Sequence, residues 1–170
     1  MRNLYSLFLS QAYQDCWDDY NRSLKVRNFP KWDYVILTAS NEQQAEGFRK
    51  QIEERRNFLP KATTFVVISD RDGKRVGSGG ATLEVLKYLH EQEEAFDGLR
   101  VLVIHSGGDS KRVPQYSALG KLFSPVPHTL PNGRNSTLFD EFMICMSSVP
   151  SRIYGGMVLL SGDVLLLFNP

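Results

Sequence analysis

The chain of 170 residues has only two cysteines, two tryptophans and almost no net charge. Each scarcity excludes something. Cys16 and Cys145 show no CxxC spacing and no Cys/His cluster, so a disulfide framework and a structural zinc site drop out. They read as reduced thiols, as expected in the cytoplasm. A formal charge of +1, with acids and bases mixed along the chain, argues against a surface for a nucleic-acid polymer. No stretch reaches the roughly 18 apolar residues of a membrane helix, so no membrane role is expected. The opening "MRNLYSLFLSQAYQDCW" has one Arg, a run broken by Ser and Gln, and no small-residue cleavage site. It does not read as a signal peptide. Several catalytic templates are also missing. The only Gly-Lys pair, Gly120-Lys121, is followed by Leu122 and has Gln115 where a Walker A loop needs its first glycine. "GSGGAT" lacks the third glycine of a dinucleotide fingerprint, and no GxSxG nucleophile elbow accompanies "HSGG".

What is present is ample apolar material, 42% of residues, enough for one sizeable core. Leu4, Leu7, Phe8, Ala12, Cys16 and Tyr20 recur at helical spacing and predict an amphipathic helix from Leu4 to about Leu24. "WDYVILTAS" predicts a strand, and Ser40 with Gln43 predicts a capping box for the helix that follows. That helix should bury Ala45, Phe48 and Ile52. "TTFVVISD" predicts a second strand and "RDGKRVGSGGATL" a loop. "TLEVLKYLHEQEEAF" predicts a helix with Leu83, Leu86 and Leu89 inward. "RVLVIHS" predicts a third strand, "STLFDEFMICMSSV" a helix capped by Ser136, and "GGMVLLSGDVLLLF" begins with a fourth strand. "SPVPHTLPNGRN" reads as a surface loop, and His90 and His128 as surface or loop histidines.

Strands thus alternate with helices, and each strand is a continuous apolar run. That pattern predicts a doubly wound α/β fold with a mainly parallel sheet covered on both faces. Residues 1–30 are expected to form a helical segment and residues 31–170 a nucleotide-binding domain. The very apolar finish, "GGMVLLSGDVLLLFNP", suggests a domain that continues in a longer protein.

Three segments fall at carboxyl ends of strands, where such sheets bind ligands. In "HSGGDSKR" (His105–Arg112), Gly107 and Gly108 leave backbone amides bare, a setting for an anion. Ser110 adds a hydroxyl, and Arg112 adds a planar cationic fork suited to phosphate. Lys121 follows nine residues later, beyond Pro114 and Gly120. The plain alternative is an ordinary Gly-rich turn with surface cations. "VGSGGATLEVL" opens onto a helix, whose free amides and dipole favour anions, although helix-opening glycines also serve close packing. "LLSGDV" places Asp163 where a carboxylate could hold Mg2+ or simply form a turn.

Taken together, "HSGGDSKRVPQYSALGKLF", "VGSGGATLEVL" and "LLSGDV" resemble the L-fucose-1-phosphate guanylyltransferase (GDP-fucose pyrophosphorylase) family. That family includes the N-terminal half of bifunctional fucokinase/GDP-fucose pyrophosphorylases. The combination HxGGxSxR…ALGK is its most specific element. The resemblance implies a Rossmann-like sugar nucleotidyltransferase fold and the transfer of GMP from GTP to L-fucose 1-phosphate with release of pyrophosphate. It implies a nucleotide-binding loop at Gly107, Gly108, Ser110 and Arg112, with Lys121 on the phosphates. It also implies Gly77, Gly79 and Gly80 near the base or ribose, and Asp163 supporting Mg2+. A kinase half, the sugar pocket and any second metal carboxylate would lie beyond Pro170. The competing readings are a nucleotide-binding or regulatory module without catalysis, and a nucleotidyltransferase for another sugar 1-phosphate.

Overall fold

The structure is a computed structural model and describes residues 2–70, 76–106 and 120–167. Helix α1 (Arg2–Lys25) leads into β1 (Tyr34–Ala39), α2 (Glu42–Glu54), β2 (Thr64–Ser69), α3 (Gly77–Gln92) and β3 (Arg100–His105). After the Gly-rich segment come β4 (Pro125–Thr129), β5 (Asn135–Thr137), α4 (Leu138–Cys145) and β6 (Gly156–Ser161). Four strands form one sheet in the order β2-β1-β3-β6, and all of its neighbours run parallel. The α/β reading therefore holds. The chain steps from β1 outward to β2, then returns past β1 to β3. The strand order thus reverses between β1 and β3, and in such sheets ligands bind at the carboxyl ends beside that switch point.

The apolar runs are continuous because successive residues feed two cores. Val35, Leu37, Ala39, Leu102, Ile104 and Leu160 join α1, α2 and α4 on one face. Tyr34, Ile36, Val101 and Val103 meet Val85 and Leu89 of α3 on the other. Helix α1 belongs to the first core: Cys16, Trp17 and Tyr20 are buried in it, and the Ser147 hydroxyl donates to the Cys16 carbonyl at 3.0 Å. Its first turns do not follow the predicted stripe, because Leu4, Leu7 and Phe8 are exposed.

Several local expectations need correction. Helix α2 buries Ala45, Phe48 and Ile52 as predicted, but its cap lies one residue later than the sequence suggests. Asn41 is the N-cap and accepts from the Gln44 amide, while the Gln44 side chain accepts from the Ser40 amide and hydroxyl. Asn caps as well as Ser does, and Gln44 is buried where Gln43 is exposed, so burial decides the register. Likewise α4 is capped by Thr137, in a capping box with Asp140, and not by Ser136. The Ser136 hydroxyl is instead spent on Glu141, at 2.5 Å.

Helix α3 starts at Gly77, so the glycines read as a loop form its first turn. Its buried face is Ala81, Val85 and Leu89, at i, i+4 and i+8. Leu83 is 61% exposed and Leu86 40%, so of the three leucines predicted inward only Leu89 is. The Pro-rich stretch read as a loop is an antiparallel hairpin of β4 and β5. Proline tolerates such an edge position because it has no ladder amide to give. His128 lies on β4 and is partnered: its Nδ1 is 2.8 Å from the buried Glu141 carboxylate.

Candidate functional site

The sequence-derived site residues divide into two groups. Gly107, Gly108, Ser110 and Arg112 lie outside the described residues. So does the expected convergence of Arg112 with Lys121. Gly77, Gly79, Gly80, Lys121 and Asp163 are described, and all lie near the carboxyl edge of the sheet.

That edge is built from one row of the register. Thr38 of β1 pairs with His105 of β3, and His105 with Ser161 of β6. His105 is the hub of the row. Its Nδ1 lies 3.3 Å from the Thr38 hydroxyl, and its Nε2 lies 3.1 Å from the Thr82 hydroxyl of α3. Burial lowers its pKa below the usual histidine value, so the imidazole is neutral at pH 7. The His105 carbonyl accepts from the Gly162 amide at 2.9 Å. Next along the chain, the Ser106 hydroxyl donates to the Thr38 carbonyl at 2.8 Å. The start of the Gly-rich segment is therefore tied to β1, to α3 and to the end of β6.

The far end of the segment returns to the same side. Gly120 has φ +68° and lies against the first turns of α2. A Cβ there would come within 3.0 Å of the Phe48 ring and 3.2 Å of the Gln44 amide. Glycine is needed twice over, for the left-handed backbone and for the close approach. Lys121 then opens a short 3-10 turn whose next two residues, Leu122 and Phe123, are buried. Phe123 stacks against Phe139 and Phe48, with ring centroids 5.0 and 5.3 Å apart. The backbone that carries Lys121 is thereby anchored in the main core, beside the helix that follows β1.

The three glycines of α3 are not equivalent. Gly77 has φ +69° and starts the helix from a left-handed turn. A Cβ on Gly80 would sit 2.6 Å from Val76 Cβ, so Gly80 serves close packing, the ordinary role of a helix-opening glycine. Gly79 has nothing within 4 Å of the place its Cβ would take, and presents bare backbone. Gly162 is bare for a clear reason: a Cβ there would meet the His105 carbonyl at 3.0 Å and Ser106 Cα at 3.1 Å. The Asp163 carboxylate after it accepts from the Ser161 hydroxyl at 2.6 Å.

Sequence reasoning noted the Thr82 hydroxyl at the α3 turn and His105 within its motif, but it did not single out Thr38 or join the three. The faint signal for Thr38 is a polar residue ending an apolar strand, and it is 4% exposed. A groove of about 920 Å3 lies elsewhere, along the open side of β2, lined in part by Arg56, Lys61, Phe65, Val67 and Tyr88. It holds none of the residues that the motifs single out. No described helix is long and apolar enough to cross a membrane.

The chain is 33% identical to a bifunctional fucokinase/GDP-fucose pyrophosphorylase of Arabidopsis thaliana, over 95% of this chain and 18% of the relative. It is 34% identical to a fucose-1-phosphate guanylyltransferase of Mus musculus, over 81% of this chain and 23% of the relative. A fucose-1-phosphate guanylyltransferase of Homo sapiens is 38% identical, over 56% of this chain and 16% of the relative. The chain thus spans about a fifth of the length of the first two relatives. No solved structure matches it. The resemblance to the L-fucose-1-phosphate guanylyltransferase family holds, and residues 93–170, which include HSGGDSKR, ALGK and SGD, match the fucose pyrophosphorylase domain.

Proposed function

We propose that this chain supplies the nucleotide-binding part of a fucose-1-phosphate guanylyltransferase, which transfers GMP from GTP to L-fucose 1-phosphate. The observation that carries the reading is the shared location of the motifs. The start of the Gly-rich segment, the backbone of Lys121, the first turn of α3 and Asp163 all lie at the carboxyl edge of one parallel sheet, the edge at which such sheets bind ligands. Two family relatives bear the guanylyltransferase name, which favours GTP and fucose 1-phosphate over other nucleotide and sugar pairs.

The reaction is an in-line displacement. A phosphate oxygen of fucose 1-phosphate attacks the α-phosphorus of GTP. The bond from that phosphorus to the bridging oxygen breaks, and the electron pair leaves with pyrophosphate. The attacking phosphate is already an anion, so no general base is needed, and catalysis rests on positioning and electrostatics. Bare amides at Gly107 and Gly108, the Ser110 hydroxyl, the Arg112 guanidinium and the Lys121 ammonium would offset the charge that builds on the phosphoryl oxygens. The donor set suits Mg2+, which accepts a single protein carboxylate and completes its shell with phosphate oxygens and water. Asp163, a strand-end carboxylate in a region without a larger metal-ligating cluster among the described residues, would hold it. When bound, the ion would neutralise phosphate charge.

The test is pyrophosphate release from GTP plus fucose 1-phosphate, with Arg112→Ala and Lys121→Ala alongside. Each variant should lower kcat by about 10²–10³ if it removes one electrostatic donor. Turnover unchanged in both variants would remove these assignments. Nucleotide binding with no turnover would make the protein a non-catalytic module, and turnover with UTP or ATP alone would replace the guanine assignment.

A further inference from the structure

The hydrogen bonds around His105 fix more than its location. The Thr82 hydroxyl has one hydrogen, and it donates that hydrogen to the Ser78 carbonyl at 2.9 Å, one turn back in α3. Toward His105 it can therefore only accept, so Nε2 carries the imidazole hydrogen. In the neutral ring Nδ1 is then an acceptor, and the Thr38 hydroxyl is its donor. One ordered chain runs from Thr38 through His105 and Thr82 to the carbonyl of Ser78. It starts at the end of β1 and ends inside the Gly77–Gly80 turn. The imidazole belongs to the residue two positions before Gly107.

We propose that His105 is a positioning residue for nucleotide transfer, holding the Gly77–Gly80 turn against the carboxyl ends of β1 and β3. The inference rests on the guanylyltransferase reading, because that reading assigns the Gly77–Gly80 turn to the nucleotide. Apolar packing alone holds this end of α3 weakly. Ala81 is the buried apolar residue nearest its start, and Leu83 is exposed. The polar chain supplies the directional restraint that a loosely packed first turn lacks. Without it, the bare amides of the Gly77–Gly80 turn would meet a nucleotide in many positions instead of one.

The experiment measures GTP affinity by calorimetry, and KM and kcat for GTP, in the full protein. The variants are His105→Phe, His105→Gln, Thr82→Val and Thr82→Ser. His105→Phe keeps a ring but loses both hydrogen bonds, and GTP affinity should fall about tenfold, the effect of one or two hydrogen bonds. Thr82→Val should lose nearly as much, and Thr82→Ser, which keeps the hydroxyl, should stay within about twofold of the native protein. His105→Gln keeps a donor that reaches Thr82 and should recover most of the affinity. Combining Thr82→Val with His105→Phe should cost no more than His105→Phe alone, since both break one chain. The KM for GTP should rise more than kcat falls.

A folded His105→Phe protein with native GTP affinity and turnover overturns the proposal, as does full additivity of the two changes. Should His105→Phe not fold, Thr82→Val decides: if it matches Thr82→Ser in GTP affinity, the proposal fails. A purely structural role would lower Tm in His105→Phe and Thr82→Val while leaving affinity and KM intact, which also overturns it. A native protein that neither binds nor turns over GTP removes the guanylyltransferase reading itself, and the inference with it.

Discussion

The two faces of the sheet are covered very differently. On one face, α1, α2 and α4 close over a deep core in which Phe48, Phe139 and Phe142 are fully buried. That face also carries buried polar fastenings. Asp140 lies 3.4 Å from Arg55 and 3.7 Å from Arg134, and the Trp32 indole donates to the Met146 carbonyl at 3.0 Å. On the other face, among the described residues, α3 alone covers β1 and β3, through Ala81, Val85 and Leu89. The first face is a scaffold, and it anchors the backbone of Lys121 through Phe123. The second is thin, and it carries the Gly77–Gly80 turn. The thin face relies on the Thr38–His105–Thr82 chain for what packing supplies on the thick one.

Substitutions that attack each face in turn can break this comparison. The largest effect is expected for Phe139→Ala, which opens a cavity among Phe123, Phe65 and the strands. It should lower unfolding free energy by about 3–5 kcal/mol, read from urea midpoints at constant slope. Leu89→Ala on the thin face should cost less, about 2 kcal/mol, because one helix can settle into the space more easily than three. Equal losses would refute the distinction between the faces.

A smaller effect is expected from pH. His105 is held neutral by burial, with its folded pKa below the usual value of about 6.5. The unfolded chain therefore takes up a proton at His105 before the folded protein does. The corresponding stability is complete above about pH 6.5 and is lost as pH falls from there through the folded value. Urea midpoints at pH 7 and pH 5.5 should differ more in the native protein than in His105→Gln; the same difference in both would contradict the assignment. The smallest effect belongs to Leu83→Lys. This position is 61% exposed, and the change should alter stability by no more than about 0.5 kcal/mol. A larger loss would mean that Leu83 faces inward after all.

Leu83 also shows where sequence reasoning stopped. Strands β1 and β3 were legible because "YVILTA" and "RVLVIH" are apolar runs buried on both faces; "GMVLLS" is as apolar in sequence, although β6 ends the strand order and leaves Leu159 half exposed. The face of α3 was not legible, because four residues of "GSGG" read as a loop when they form the first turn of the helix. The hairpin β4–β5 was hidden by Pro125 and Pro127, which suppress a strand reading although an edge strand accepts them. The caps at Ser40 and Ser136 missed by one residue, because neighbouring side chains are comparable acceptors: at α2 the burial of Gln44 decides, and at α4 Glu141 takes the Ser136 hydroxyl. The site divides in the same way. Glycines, cations and Asp163 were visible because they are contiguous motifs. The Thr38–His105–Thr82 chain was not, since its members belong to three elements that meet only after β1 and β3 pair.

Hydrogen exchange with and without GTP tests the central claim most directly, since it compares the carboxyl edge with the groove beside β2 in one experiment. The account predicts slower exchange in peptides covering residues 77–82 and 106–121, with no change in peptides covering residues 56–67. Protection confined to residues 56–67, or none in either glycine segment when GTP is bound, would contradict it.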